Sequence, residues 1–237
     1  MSHSFAGIPK EGMAFLRALK KNNNREWFQP RKEIFERSMK EPMEQLVEAV
    51  NSKLIQFAPL FVTEPKKAIY RIYRDTRFSN NKIPYKTHLG ASFTCAGMTK
   101  HISAGYYFGI GPEQIEIAGG IYMPGPDQFR AIRAELCETH AEFRRIINNK
   151  ALIKLVGPMS SHQLTRSPKG FSPDHPADDL VRYKHWIFYD TRLDPKIALT
   201  PKIVNEIGKR FEAMTPFIDY LNTPLKNIRP DPMFVER

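Results

Sequence analysis

Three runs decide how this chain folds: His88-Leu-Gly-Ala-Ser-Phe-Thr-Cys-Ala96, His101-Ile-Ser-Ala-Gly-Tyr-Tyr-Phe-Gly-Ile110 and Gln114-Ile-Glu-Ile-Ala-Gly-Gly-Ile-Tyr-Met123. Each is short and rich in Ile, Phe or Tyr, and Gly97 and Gly111-Pro112 separate them. β-Branched and aromatic residues bounded by turn formers mark an antiparallel meander. Ala68–Asp75 reads as a further strand, returning through a turn at Asn80-Asn81, and the aromatic run His185–Thr191 reads as a later one. In Gln114–Ile117, Ile115 and Ile117 alternate with Gln114 and Glu116, which predicts a sheet with one wet face. Gly119-Gly120 inside a strand allows a bulge, or the close approach of another backbone or a ligand.

Helices bracket this sheet. Pro9–Lys20 carries Phe15, Leu16 and Leu19 on one face, and Asn22-Asn23-Asn24 ends it, with Asn24 able to cap the next helix. Trp27, Phe28, Phe35, Met39, Met43, Leu46, Val50 and Leu54 form a stripe close to the helical repeat. Pro42 falls inside that stripe and predicts a kink or a fresh helix start. After the meander, Asp127 can cap a long helix bearing Phe129, Ile132, Leu136, Phe143 and Ile147. Residues 158–176 read as a Pro/Gly/Ser loop, with Pro176 opening a short helix to Tyr183. Thr200-Pro201 starts a last helix, along which Val204, Ile207, Phe211 and Met214 follow at helical spacing. The expected architecture is therefore α+β, a largely antiparallel sheet with helices at both chain ends and a long helix after the meander. It is one domain over residues 1–237, with its core at about 8–225 and a tail from Asn227.

The 237 residues are enough to bury a core without disulfides or metals. Sixteen Phe, nine Tyr and two Trp argue against a disordered chain. Cys95 and Cys137 are the only cysteines and form no Cys-x-x-Cys pair, so a disulfide framework and a thiolate zinc site are not expected. Lys10, Glu11, Arg17 and Lys20 leave no apolar run for a signal peptide, and no stretch is long enough for a membrane span. The expected compartment is the cytoplasm. The net charge of +11 is compatible with nucleic acid, nucleotides or phosphorylated metabolites, and equally with a basic, well-solvated surface.

Chemistry concentrates in Arg71-Ile-Tyr-Arg-Asp-Thr-Arg-Phe-Ser-Asn-Asn-Lys-Ile-Pro-Tyr-Lys-Thr-His88. Arg71, Arg74, Arg77, Lys82 and Lys86 face a single acid, Asp75. Such crowding is unfavourable without an anion, and Arg is suited to bidentate recognition of phosphate or carboxylate. Tyr73 and Tyr85 add hydroxyls or a stacking surface, and Tyr107 and Tyr122 are candidate supporting aromatics. The alternative is a solvated basic hairpin in which Asp75 pairs one arginine. A second cluster, Arg166-Ser-Pro-Lys169-Gly-Phe-Ser-Pro-Asp174-His175-Pro176, offers Lys169 as another anion ligand and Asp174/His175 as an acid–base pair. Asp174 or His175 can equally serve as a cap before Pro176. Asp75 and His88 complete the candidate proton carriers. His101, His140, His162 and His185 lack metal-ligand spacing, and His140 falls on an apolar helix stripe, which predicts a core position. No Walker loop, dinucleotide fingerprint, Gly-x-Ser-x-Gly elbow or His-Glu-x-x-His is present, so no metal ligands are assigned and the cofactor is unknown.

Several blocks together resemble the domain-of-unknown-function 2461 family: Asn23-Asn24-Arg25-Glu26-Trp27-Phe28, Tyr73-Arg74-Asp75-Thr76-Arg77-Phe78-Ser79, Lys82-Ile-Pro84-Tyr85-Lys86-Thr87-His88, Gly105-Tyr106-Tyr107, Gly119-Gly120-Ile-Tyr122-Met-Pro124 and Lys169-Gly170-Phe-Ser-Pro-Asp174-His175-Pro176. The resemblance spans about Ile8 to Leu225. It implies a fold and a site without a reaction. Members often carry an acid where this chain has Asn81, which argues against a catalytic carboxylate in that turn.

Three functions are compatible with these residues. The first is binding of, or action on, a phosphorylated or other anionic small molecule. The second is nucleic-acid binding by the same basic and aromatic surface. The third is docking of an acidic protein partner. A concave pocket with the 166–175 loop folded over residues 71–88 would favour the first, and a diffuse basic surface the second.

Overall fold

A computed structural model describes residues 5–77, 79–98, 102–226 and 228. The meander is present as expected. Strands β1 (Leu89–Thr94), β2 (Gly105–Ile110), β3 (Ile115–Ile121) and β4 (Trp186–Asp190) form an antiparallel sheet in the order β1-β2-β3-β4. Ala91 pairs with Phe108, Phe108 with Ile117, and Gly119 with Phe188. With a side-chain period of two, this register sorts the residues into two faces. Ala91, Phe93, Tyr106, Phe108, Ile115, Ile117, Trp186 and Phe188 are buried on one of them.

That face is covered by helix α9 (Lys202–Asn222), which begins just after Thr200-Pro201 as its sequence predicts. Phe211 packs on Phe93 and stacks on Tyr106 at 4.7 Å, and Phe217 meets Phe188 edge-on at 4.9 Å. Burying each such ring contributes roughly 1.5–3 kcal/mol. Helix α4 (Glu41–Phe57) packs on α9 as the next layer. Helix α6 (Pro126–Ile147) follows the meander. Its N-cap is Gly125, not Asp127: the Gln128 side chain accepts the Gly125 N–H, while Asp127 pairs with Arg130 in the first turn.

The N-terminal helix α1 (Lys10–Lys21) buries Phe15, Leu16 and Leu19, and Asn24 caps the next turn by accepting the Trp27 N–H at 2.8 Å. The stripe from Trp27 to Leu54 does not lie on one helix. It is divided among α2 (Arg25–Phe28), α3 (Lys32–Phe35) and α4, with a 3-10 turn at Gln29–Arg31 and a π turn at Glu36–Lys40. Pro30 and Pro42, which lack N–H groups, fall where the ladder is reset, and Pro42 lies in the first turn of α4.

Two further expectations need correction. Ala68–Asp75 is not a strand. Helix α5 (Pro65–Ala68) takes its first residue, and among the described residues the rest of this run forms two isolated bridges, Ile69↔Ala91 and Tyr73↔Tyr85. The outward peptide groups of Tyr85 bond instead to the Asn23 side chain, with both contacts at 3.0 Å, so the ladder gives way to a side-chain clamp. Between α6 and the 158–176 loop lies an unanticipated helix α7 (Lys150–Val156), capped by Asn149. The turn after Pro176 is the short α8 (Asp178–Val181). Phe78, His101 and the expected tail from Asn227, apart from Ile228, lie outside the described residues. No described helix is long and apolar enough to cross a membrane.

Candidate functional site

The other face of the sheet carries Ser92 and Thr94 from β1, Gly105 and Tyr107 from β2, Glu116, Ala118 and Gly120 from β3, and Ile187 and Tyr189 from β4. This is the wet face expected from Gln114 and Glu116. Most of these residues are too small to fill the space above the strands. The result is a cleft of about 910 Å³ over the sheet. Its walls include Tyr70 beside β1, Ile102 and Ser103 from the β1–β2 connection, the Tyr122–Gln128 turn into α6, and Ser160.

Gly120 has φ +132°, a conformation other residues resist, and a Cβ there would lie 2.2 Å from the Trp186 carbonyl oxygen. Beside it, a Cβ on Gly119 would meet the Met214 sulfur at 2.8 Å, so α9 sits directly on the strand. The Gly119-Gly120 pair thus permits close approach, as read from the sequence. It leaves the cleft side bare and lets the helix seat on the other.

A carboxylate organises the polar side of this face. Glu116 accepts the Tyr107 hydroxyl at 3.1 Å and the Gln114 amide at 2.7 Å, and its charge also acts on Tyr189. Burial, reinforced by the Glu116 charge, pushes both phenols well above the ordinary tyrosine range. They remain protonated donors at any physiological pH. Among the described residues, the Ser92 Oγ is buried with no hydrogen-bond partner. It lies next to Tyr107 in the register and on the cleft wall.

The end of the cleft beside β4 is built differently. Ser160 N–H bonds to the Ile187 carbonyl at 3.0 Å and Lys184 N–H to the His162 carbonyl at 2.9 Å. These bonds lay residues 160–162 alongside the approach to β4. They bring the Ser160 Oγ within 2.8 Å of His185 Nε2. The Tyr122 ring is 5.6 Å from the imidazole, and the adjacent Met123 is held at φ +52°. Burial, with the neighbouring His162 and Lys184, lowers the His185 pKa below the ordinary value.

The residues singled out between 71 and 88 form an irregular hairpin that prolongs the β1 edge. Tyr85 is buried and stacks on Phe28 at 4.2 Å, with Tyr73 against both rings. Arg74 donates to the Ile83 carbonyl and Lys82 to the Thr76 carbonyl, so both help to close the hairpin. Arg77 and Asp75 form an exposed pair at 2.8 Å. Hydrogen bonds from Arg77 hold the Asp75 carboxyl at about 2, which keeps it ionised and disfavours it as a proton carrier near neutrality. Arg71 is exposed, and His88 is half-buried, with its Cβ near Gly111. Lys86 stands out. Its ammonium lies 5.2 Å from the centroid of the Tyr70 ring, and its pKa is lowered by burial and by Arg71. Among the described residues no carboxylate pairs with it. Tyr70 lines the cleft, so Lys86 of the hairpin lies against a residue of the cleft wall.

The 166–175 loop is placed elsewhere. Its contacts are with α6 and α8: His175 faces His140 at 6.2 Å, and Ser167 donates to Asp178 at 2.5 Å. Among the described residues no hydrogen bond or ion pair joins this loop to the hairpin, so the shared site does not form. Lys169 and Asp174 are exposed. His175 Nδ1 accepts the Ala177 N–H at 3.1 Å, so it closes the turn that leads into α8 and is not bonded to Asp174. His140 is half-buried against His175 and is not a core residue.

Of the aromatic candidates, Tyr107 and Tyr122 lie in the cleft, while Tyr73 and Tyr85 support the hairpin. Tyr70, Ser92, Glu116, Ser160, His185 and Tyr189 also belong to the cleft region and were not anticipated. Period-two alternation along each strand would have grouped them only once the register was known. Among the described residues no three His, Cys, Asp or Glu side chains are grouped to hold a metal ion, and Cys95 and Cys137 are both free.

A half-covered antiparallel sheet with an aromatic, hydroxyl-lined cleft defines the class: an α+β protein with a cleft on its open sheet face. The model of the family described as "Conserved hypothetical protein (DUF2461)" matches residues 11–220, and the chain belongs to that family. No curated protein and no solved structure matches the chain.

Proposed function

We propose that the protein binds a small anionic molecule, foremost a phosphorylated one, in the cleft on the open face of its sheet, with Lys86 meeting the charge at the rim. The observation that carries this reading is the placement of Lys86. It is a partly desolvated cation without a carboxylate partner among the described residues, held over the aromatic wall of a cleft large enough for a metabolite. A cation crowded by Arg71 and short of water gains most from an anion, because charge-assisted hydrogen bonds strengthen as solvent is excluded. The tyrosine hydroxyls and the unpartnered Ser92 Oγ supply the orienting groups usual in small-molecule sites.

The test is a thermal-shift screen with inorganic phosphate, sugar phosphates and nucleotides, followed by titration of the best compound against wild type and Lys86→Met. Met keeps an apolar stem over Tyr70 and removes the charge. Loss of one charge-assisted contact, ~1.5–3 kcal/mol, weakens binding on the order of ten- to a hundredfold. Equal affinity in the variant would reject the assignment of Lys86. The +11 charge and the exposed Tyr73 and Tyr122 favour nucleic acid as a second reading. A short oligonucleotide in the same screen tests it, since such binding would weaken steeply with added salt.

A further inference from the structure

We propose that Ser160 and His185 are a nucleophile and general base that accept an acyl group from a small carboxylic ester held in the cleft. This deepens the reading that the cleft binds a small molecule, the ester being the part of the ligand that lies toward β4.

The geometry is that of an activated serine. Ser160 Oγ and His185 Nε2 are 2.8 Å apart, both side chains line the cleft, and the pair is fixed by backbone bonds on both sides of it. A serine hydroxyl is a weak nucleophile until an adjacent base takes its proton. His185 suits that role at neutral pH because burial, His162 and Lys184 all disfavour the imidazolium. The nearby floor is small and apolar, formed by Ala118, Gly120 and Ile187, which fits an acyl chain. The opening turn of α6 lines the same cleft. Met123, in the turn between β3 and α6, has a backbone conformation that a non-glycine residue keeps only when its surroundings impose it.

The reaction balances without a co-reactant other than water. Ser160 Oγ attacks the carbonyl carbon while its proton passes to His185 Nε2. The tetrahedral oxyanion then collapses and breaks the bond to the alcohol oxygen, which leaves with the proton from His185. Water repeats the sequence on the acyl-serine, freeing the acid and restoring both side chains. Among the described residues no carboxylate hydrogen-bonds His185. The dyad therefore works without the third member that orients and stabilises the imidazolium in serine hydrolases, and it should be slow. Activated esters and covalent trapping are the appropriate probes.

The full-length protein is incubated with p-nitrophenyl acetate and, separately, with a fluorophosphonate probe. Nitrophenolate release is followed, and modified peptides are mapped by mass spectrometry. The expected result is a burst of about one equivalent with the label on Ser160. Ser160→Ala and His185→Gln each slow acylation about a hundredfold or more. The wild-type rate rises with pH through a midpoint below the usual histidine value. No label on Ser160, label confined to lysines, or an unchanged rate in Ser160→Ala overturns the proposal. If Ser160→Ala fails to fold, peptide mapping on the wild-type protein still decides. Stabilisation by phosphorylated compounds without Ser160 acylation overturns the dyad and leaves the anion reading standing. Acylation of Ser160 with no compound stabilising the protein overturns the anion reading and leaves the dyad.

Discussion

Replacing Asp190 with Ala tests how the sheet is fastened to its covering helix. Asp190 ends β4 on the covered face and is 3% exposed, and Arg210 of α9, 6% exposed, donates to it at 2.8 Å. Arg192 reaches the other carboxylate oxygen through its backbone N–H at 3.1 Å and its guanidinium at 2.6 Å. Removing the carboxylate strands Arg210 in a buried position. Breaking such a pair from one side costs about 3–5 kcal/mol. Arg210 keeps Glu206 at 2.6 Å, so the lower end applies. With about 2–4 °C per kcal/mol for a domain of this size, a loss of ~3 kcal/mol lowers Tm by roughly 6–12 °C. Arg192 is largely exposed and adds little.

The effect should also depend on pH. Burial alone would raise the Asp190 pKa, but its bonds to Arg192 and Arg210 outweigh burial and leave it lowered. A carboxylate with a depressed folded pKa contributes stability above its unfolded value of about 3.9 and loses it as pH falls through the folded value. The gap between wild type and Asp190→Ala, followed by thermal melts, should therefore be full at pH 7 and narrow below pH ~4. A variant melting within about 2 °C of wild type at pH 7 would refute this account of the network.

Two other substitutions probe the cleft and the hairpin. Gly120→Ala forces a Cβ against the Trp186 carbonyl at φ +132° and should destabilise by about 1–3 kcal/mol; a urea midpoint equal to that of wild type would show that the strand relaxes freely. Asn23→Ala removes both bonds to the Tyr85 peptide groups, which should leave the fold intact but speed amide exchange across residues 72–86 and weaken binding at Lys86; unchanged exchange there would mean the Phe28 stack alone holds the hairpin.

Local chemistry made much of this fold legible. The strand runs and their Gly and Pro punctuation located the meander, because period-two alternation and turn formers act within a few residues. Phe15, Leu16 and Leu19 identified the inner face of α1, and Thr200-Pro201 the start of α9, for the same reason. The motif blocks identified the family, and the density of arginine and lysine drew attention to the hairpin. Where Asn23 spends its amide, by contrast, depends on a contact 62 positions away. Ala68–Asp75 therefore looked like a strand until its partner was known.

The cleft could not be read in the same way. Tyr107 and Tyr122 were visible as aromatics, but their joining to Tyr70, Ser92 and Ser160 required the pairing of β1, β2, β3 and β4 and the run of residues 160–162 beside β4. Single residues such as His185 carry no mark of their neighbours. The loop at 166–175 made the opposite error, since suitable residue types suggested a site that the chain path keeps apart. Sequence determines which groups can bond and which short segments can turn, coil or extend. The tertiary structure determines which distant groups meet, because the register of a sheet and the seating of α9 on it are set by packing summed over the whole core.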